Sequence, residues 1–207
     1  MVLAAKEGFK MRSIDIFSAF TYGELNEVIY MKQPEGYHQR GPNVVYKLHK
    51  SLYGLKQSAR QWNKKLHSVL DSLGFKRVPN NASIYIYSKG EVKLIVSIFI
   101  DNITLVSRDD TAMDSTVQEL TKHFKLWDLG TTTFLLLVQV KQNLKAHTIL
   151  LSQSHYVDKL LKRFKIEDCN PVKTPFSPSS DLSGLVPTPS QQEEMHFIPY
   201  LAAVGSL

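Results

Sequence analysis

At 207 residues, with 43% hydrophobic and 21% charged side chains, the chain has the composition of an ordinary soluble domain with one good-sized core, so most of it is expected to fold. Lys and Arg outnumber Asp and Glu by 25 to 19, a formal charge of +6 that favours polyanionic partners without identifying one. A single cysteine, Cys169, excludes an internal disulfide, no apolar run is long enough to span a bilayer, and the N-terminus lacks a signal-peptide layout, so an intracellular protein with no membrane partner is expected.

In chain order, residues 1–8 read as the end of a helix, with Ala4 and Ala5 favouring helix and Gly8 suited to the position just past it. Residues 11–16 alternate enough for a strand, which puts Asp15 near a strand end, where a carboxylate can face a cleft. Gly23 turns the chain, residues 29–37 read as a strand stopped by Pro34 and Gly36, and residues 44–48 as another. Ala59, Trp62, Leu66, Val69, Leu70 and Leu73 recur at helical spacing up to Gly74, with Arg60, Lys64, Lys65 and His67 on a solvated face. The seven histidines show no paired ligand spacing and are assigned no metal.

Strands follow at 84–87 and 92–99. The run Val96-Ser97-Ile98-Phe99-Ile100-Asp101-Asn102-Ile103-Thr104-Leu105-Val106 then reads as a tight β-hairpin turning on Asp101-Asn102, with Asp101 at its tip. Such a pair is also common turn chemistry with no further role. Asp109 or Asp110 is placed to cap a helix that buries Met113, Val117, Leu120 and Phe124. Residues 134–140 and 148–151 read as an antiparallel pair. Ser152 is placed to cap a last helix with Tyr156, Val157, Leu160, Leu161 and Phe164 inward. Prolines among Ser, Thr and Gln predict a surface-hugging or disordered linker over 175–192. The class expected is α+β, one sheet with helices on one face.

Several strings, in order, resemble the reverse transcriptase of copia-type LTR retrotransposons. Asp15-Ile16-Phe17-Ser18-Ala19-Phe20 is similar to the family's first catalytic motif, Asp-Val-Lys-Thr-Ala-Phe. Lys50-Ser51-Leu52-Tyr53-Gly54-Leu55-Lys56-Gln57-Ser58-Ala59-Arg60-Gln61-Trp62 is nearly its hallmark string, and Phe99-Ile100-Asp101-Asn102 falls at its Tyr-Val-Asp-Asp box. Asp128-Leu129-Gly130, Leu151-Ser152-Gln153 and Ala203-Val204-Gly205-Ser206-Leu207 resemble later landmarks.

The resemblance implies a palm-like antiparallel sheet over residues 1–169, with the fingers largely missing, and a Pro/Ser-rich tail over 170–207 that ends at the start of the next family segment. It implies RNA-directed DNA polymerisation by two Mg²⁺ ions, Mn²⁺ being an alternative, with Asp15 and Asp101 as catalytic residues and metal ligands. Ile16 through its carbonyl, Phe20 under the sugar, and Tyr53, Gly54 and Lys56 would line the nucleotide pocket. RNA template, DNA primer and deoxynucleotides would be the partners, with missing fingers, thumb and ribonuclease H segments of a parent polyprotein.

Besides Ala59, which stands where proline is usual in the hallmark string, four positions depart from the family. Asn102 stands for the box's second aspartate and weakens the electrostatic support of two divalent cations. Leu137 stands for a glycine, expected at a strand position near the primer, Asn81 for an aspartate, and Phe17 for a lysine. A weak or inactive polymerase fragment is therefore expected. The alternative is a non-catalytic relic that binds RNA or DNA without sequence preference.

Overall fold

The computed structural model describes residues 1–39, 41, 43–172, 186–196 and 198–206. They divide into a first unit, Met1–Thr133 with Val140–Leu150, and a second, Phe134–Gln139 with Leu151–Leu207. The first unit opens on α1 (Val2–Glu7), closed as expected by Gly8 at φ 64.

The strand β1 (Lys10–Ile16) buries Ile14 and Ile16 and turns Asp15 to the other face, as the two-residue period of a strand requires. A short 3-10 turn, Ala19–Tyr22, leads through Gly23 into β2 (Glu24–Lys32), which pairs with β3 (Val45–Lys50) as a separate two-stranded ribbon. A Cβ on Gly23 would lie 2.7 Å from Ser51 Oγ and 2.8 Å from Gln61 Cβ, so only glycine permits this close approach. Next come α2 (Ser58–Ser72), β4 (Lys76–Arg77), β5 (Ile84–Lys89), β6 (Val92–Phe99), β7 (Asn102–Ser107), α3 (Asp110–Thr121) and β8 (Leu126–Thr131).

Six strands form one antiparallel sheet of order β4-β5-β6-β7-β1-β8. Trp62, Leu66 and Leu70 of α2 and Met113, Val117 and Leu120 of α3 share one core with Ile14, Val96, Ile98, Ile103 and Leu105 of the sheet. Burying these side chains contributes about 1.5–3 kcal/mol each. Asp109 caps α3, accepting from the Ala112 N–H at 3.0 Å, which settles the choice between the two candidate aspartates.

Several expectations need correction. The hairpin turns on Ile100-Asp101, not Asp101-Asn102, because Asn102 is already in β7, opposite Phe99. Both registers put the same side chains on the core face, so alternation alone does not choose between them. β8, unforeseen, is an edge strand against β1.

The single strand expected at 134–140 is instead β9 (Phe134–Leu135), a turn at Leu136-Leu137 with φ 50 and 67, and β10 (Val138–Asn143). Leu137 therefore occupies a left-handed turn position that favours glycine, rather than a strand position. Within the first unit the rest of β10 neighbours β11 (Thr148–Ser152). The described residues thus form three separate sheets, not one.

In the second unit α4 (Ser154–Phe164) starts two residues past the expected cap, although Ser152 Oγ accepts from the Ser154 N–H at 3.2 Å. None of its residues is buried, so the apolar stripe expected inward is no core. Of the linker expected at 175–192, residues 175–185 lie outside the described residues. Its end is helical, α5 (Pro189–His196), followed by α6 (Tyr200–Val204). The reason is a capping box. The Thr188 N–H donates to Gln191 Oε1 at 2.9 Å, the Gln191 N–H points back to Thr188 Oγ1, and Pro189 follows at the first helical position.

Candidate active site

The site is built where β1 ends beside the β6–β7 turn. Asp15 lies directly opposite Asn102 on one side and Trp127 on the other, so the three side chains form one row across β7, β1 and β8. All three stand on the sheet face opposite the helices, because their neighbours Ile14, Ile16 and Ile103 fill the core.

Two hydrogen bonds hold the turn. The Ile16 N–H donates to Asp101 O at 2.9 Å, and the Trp62 indole N–H donates to Ile100 O at 2.7 Å. Ile100 sits at φ 57, costly for a β-branched residue, and these two bonds are what keep it there. Trp62 is only 3% exposed and packs edge-on against Phe124, with Tyr22 alongside.

Asp101 receives the Asn102 amide at 3.0 Å on Oδ1 and, at 3.4 Å, the Tyr53 hydroxyl on Oδ2. The Tyr53 ring packs on Phe20 with centroids 4.5 Å apart, and the Ser51 hydroxyl donates to the Phe20 carbonyl. Burial, reinforced by the negative charge of Asp101, raises the Asp15 carboxyl above its ordinary range. Burial also raises the Tyr53 phenol, with Asp101 adding to it. Among the described residues neither aspartate is ion-paired to a Lys or Arg.

Of the residues singled out in the sequence, Asp15, Asp101, Asn102, Tyr53 and Phe20 come together, and Ile16 joins them through its backbone while its side chain is buried in the core. Gly54, at φ 92, and the exposed Lys56 lie in the turn before α2, with no hydrogen bond or ion pair to either carboxylate among the described residues. Sequence reasoning took Trp62 for a core residue only, and it passed over Trp127 because β8 carries no clean alternation.

This arrangement sets two carboxylates close together, one at the end of a central strand and one on the adjoining hairpin. A family model described as "Reverse transcriptase (RNA-dependent DNA polymerase)" matches residues 1–178. The chain belongs to that family, and its curated relatives are copia-type Pol polyproteins.

It is 34% identical, over 99% of its length, to the retrovirus-related Pol polyprotein from transposon TNT 1-94 of Nicotiana tabacum, and 31% identical over 87% to that from transposon RE1 of Arabidopsis thaliana. It is 28% identical over 94% to the putative transposon Ty5-1 protein of Saccharomyces cerevisiae. The chain spans 16%, 12% and 62% of these relatives' lengths. No helix among the described residues is long and apolar enough to cross a membrane.

Proposed function

We propose that the first unit is a palm-like polymerase domain whose Asp15 and Asp101 hold Mg²⁺ for nucleotidyl transfer to a DNA primer on an RNA template, and that this copy works slowly. The observation that carries the reading is the convergence of two carboxylates, neither ion-paired to a Lys or Arg among the described residues, with Asp15 pushed up by burial and by Asp101. A divalent cation would relieve that repulsion. The donors are hard oxygens, and Mg²⁺ characteristically takes one or two carboxylates and completes its shell with waters and substrate phosphates. When bound, a pair of such ions activates a primer 3′-hydroxyl and steadies the leaving pyrophosphate.

The chain's own residues have distinct tasks in this reading. Ile16 and Trp62 fix the backbone on which Asp101 rides. Tyr53, packed on Phe20, directs its hydroxyl at Asp101 and walls the space where a sugar would sit, while Gly54 and Lys56 border the nucleotide side. Asn102 brings an amide donor to Asp101 Oδ1 in place of a second carboxylate, which occupies one oxygen and removes a negative charge. That favours slow catalysis, by about 10- to 100-fold if the position acts from outside the metal's own ligands.

Primer extension on an RNA template with Mg²⁺ or Mn²⁺ tests this. Extension should rise with Asn102→Asp and vanish with Asp101→Ala. Silence from all three folded proteins would leave the second reading, sequence-blind nucleic-acid binding without chemistry, which the +6 charge favours.

A further inference from the structure

Beside the carboxylates, two aromatic rings stand open on the sheet surface. Trp127 occupies the row of Asp15 and Asn102, and Phe17 lies two residues past Asp15, held by its N–H to Lys125 O at 2.9 Å. The rings meet edge to face, centroids 5.3 Å apart, yet Phe17 is 41% and Trp127 52% exposed. The Lys125 ammonium sits 4.8 Å from the centre of the Phe17 ring.

Lys125 has no carboxylate partner among the described residues. The half-exposed Trp127 indole, with Phe17 against it and an ammonium that no carboxylate pairs among the described residues, complements a ligand that carries flat rings and negative charge together. A nucleic-acid strand with an unpaired base does so, since base–aromatic stacking tolerates any sequence and a lysine answers the phosphate.

We infer that Phe17, Trp127 and Lys125 form a stacking step for an unpaired base of a single strand lying beside Asp15 and Asp101. This rests on the reading of those carboxylates as facing nucleic acid. It adds to that reading a binding site of its own, made by aromatic side chains at the sheet edge rather than by the acidic pair.

Tryptophan emission tests it directly. The chain has two tryptophans, and Trp62 is 3% exposed, so quenching by a single strand reports Trp127. The full chain is titrated with an oligothymidylate of about 12 nucleotides, within the range of known single-strand sites, and with an abasic strand of equal length. Quenching by the first and little by the second is expected. Read by the fluorescence anisotropy of an end-labelled oligothymidylate, which needs no tryptophan, Trp127→Ala should weaken binding roughly 5- to 150-fold, while Trp127→Phe, which keeps a stacking face, retains most of it.

Unchanged affinity in Trp127→Ala, equal quenching by the abasic strand, or no quenching by either overturns the inference. The two proposals fail separately. Absent primer extension with intact quenching defeats the polymerase reading alone, and extension without quenching defeats the stacking step alone.

Discussion

Two hairpin turns in this chain put an apolar residue where glycine would be at ease, and they are kept in opposite ways. At the β6–β7 turn Ile100 has φ 57 and is tied down through the Trp62 indole on its own carbonyl and the Ile16 N–H on the next. At the β9–β10 turn Leu136 and Leu137 have φ 50 and 67, and Leu137 is 82% exposed. The first turn carries Asp101 and is determined from two sides by a packed core. The second is closed by a short ladder, Val138 opposite Leu135 and Gln139 opposite Phe134, and among the described residues no side chain hydrogen-bonds to the turn itself. Backbone strain of this kind persists where the surroundings over-determine it, and it is informative at the first turn because something holds it there.

The largest effect should come from removing what holds the first turn. Trp62→Ala deletes a buried core ring as well as the indole donor, and about 3–5 kcal/mol of stability should be lost, read as a fall in the denaturant midpoint. Trp62→Phe separates the two roles. It keeps an aromatic ring in the cluster with Tyr22 and Phe124 and removes only the N–H, so about 1 kcal/mol should be lost. If primer extension falls no further than this stability change explains, the turn does not depend on its tether.

The second turn should respond in the other direction. Leu137→Gly relieves a left-handed leucine, a strain of roughly 1–2 kcal/mol, against a glycine entropy cost of about 0.5–1 kcal/mol. A net gain of under about 1 kcal/mol is expected, visible as slower amide exchange across β9 and β10. Faster exchange in the variant would break the contrast between the turns.

The smallest effect is electrostatic and lies beside the first turn. The Asp15 carboxyl is raised in the folded state, so there it holds its proton to higher pH than in the unfolded chain. The folded state thus gains from Asp15 below the ordinary carboxylate range of about 4 and loses that gain as pH rises through the raised value. Asp15→Asn should therefore raise the melting temperature at pH 7, on the order of 2 °C, and make no difference at pH 3. A drop at pH 7 would mean that the carboxylate pair is not repulsive.

Much of the first unit was legible because its signals are local. β-branched runs marked β1, β6 and β7, the spacing of Trp62, Leu66 and Leu70 marked α2, and Asp109 stood where a cap belongs. β8 was not legible, because Asp128 and Gly130 break its alternation and its place comes from pairing with β1. The stripe on α4 was read correctly as amphipathic and wrongly as buried, since periodicity says that a face is apolar but not that anything covers it.

By itself the sequence determined the family, because ordered motifs need no coordinates, and it singled out Asp15 and Asp101 as candidates. The tertiary structure decided the register of the turn, the bond from Trp62 to Ile100, and the row that sets Trp127 beside Asp15. Each of these joins residues from 25 to more than 100 positions apart on separate elements, or chooses between registers that local alternation leaves equivalent. Only packing against a common core brings such pairs together and makes one register the better.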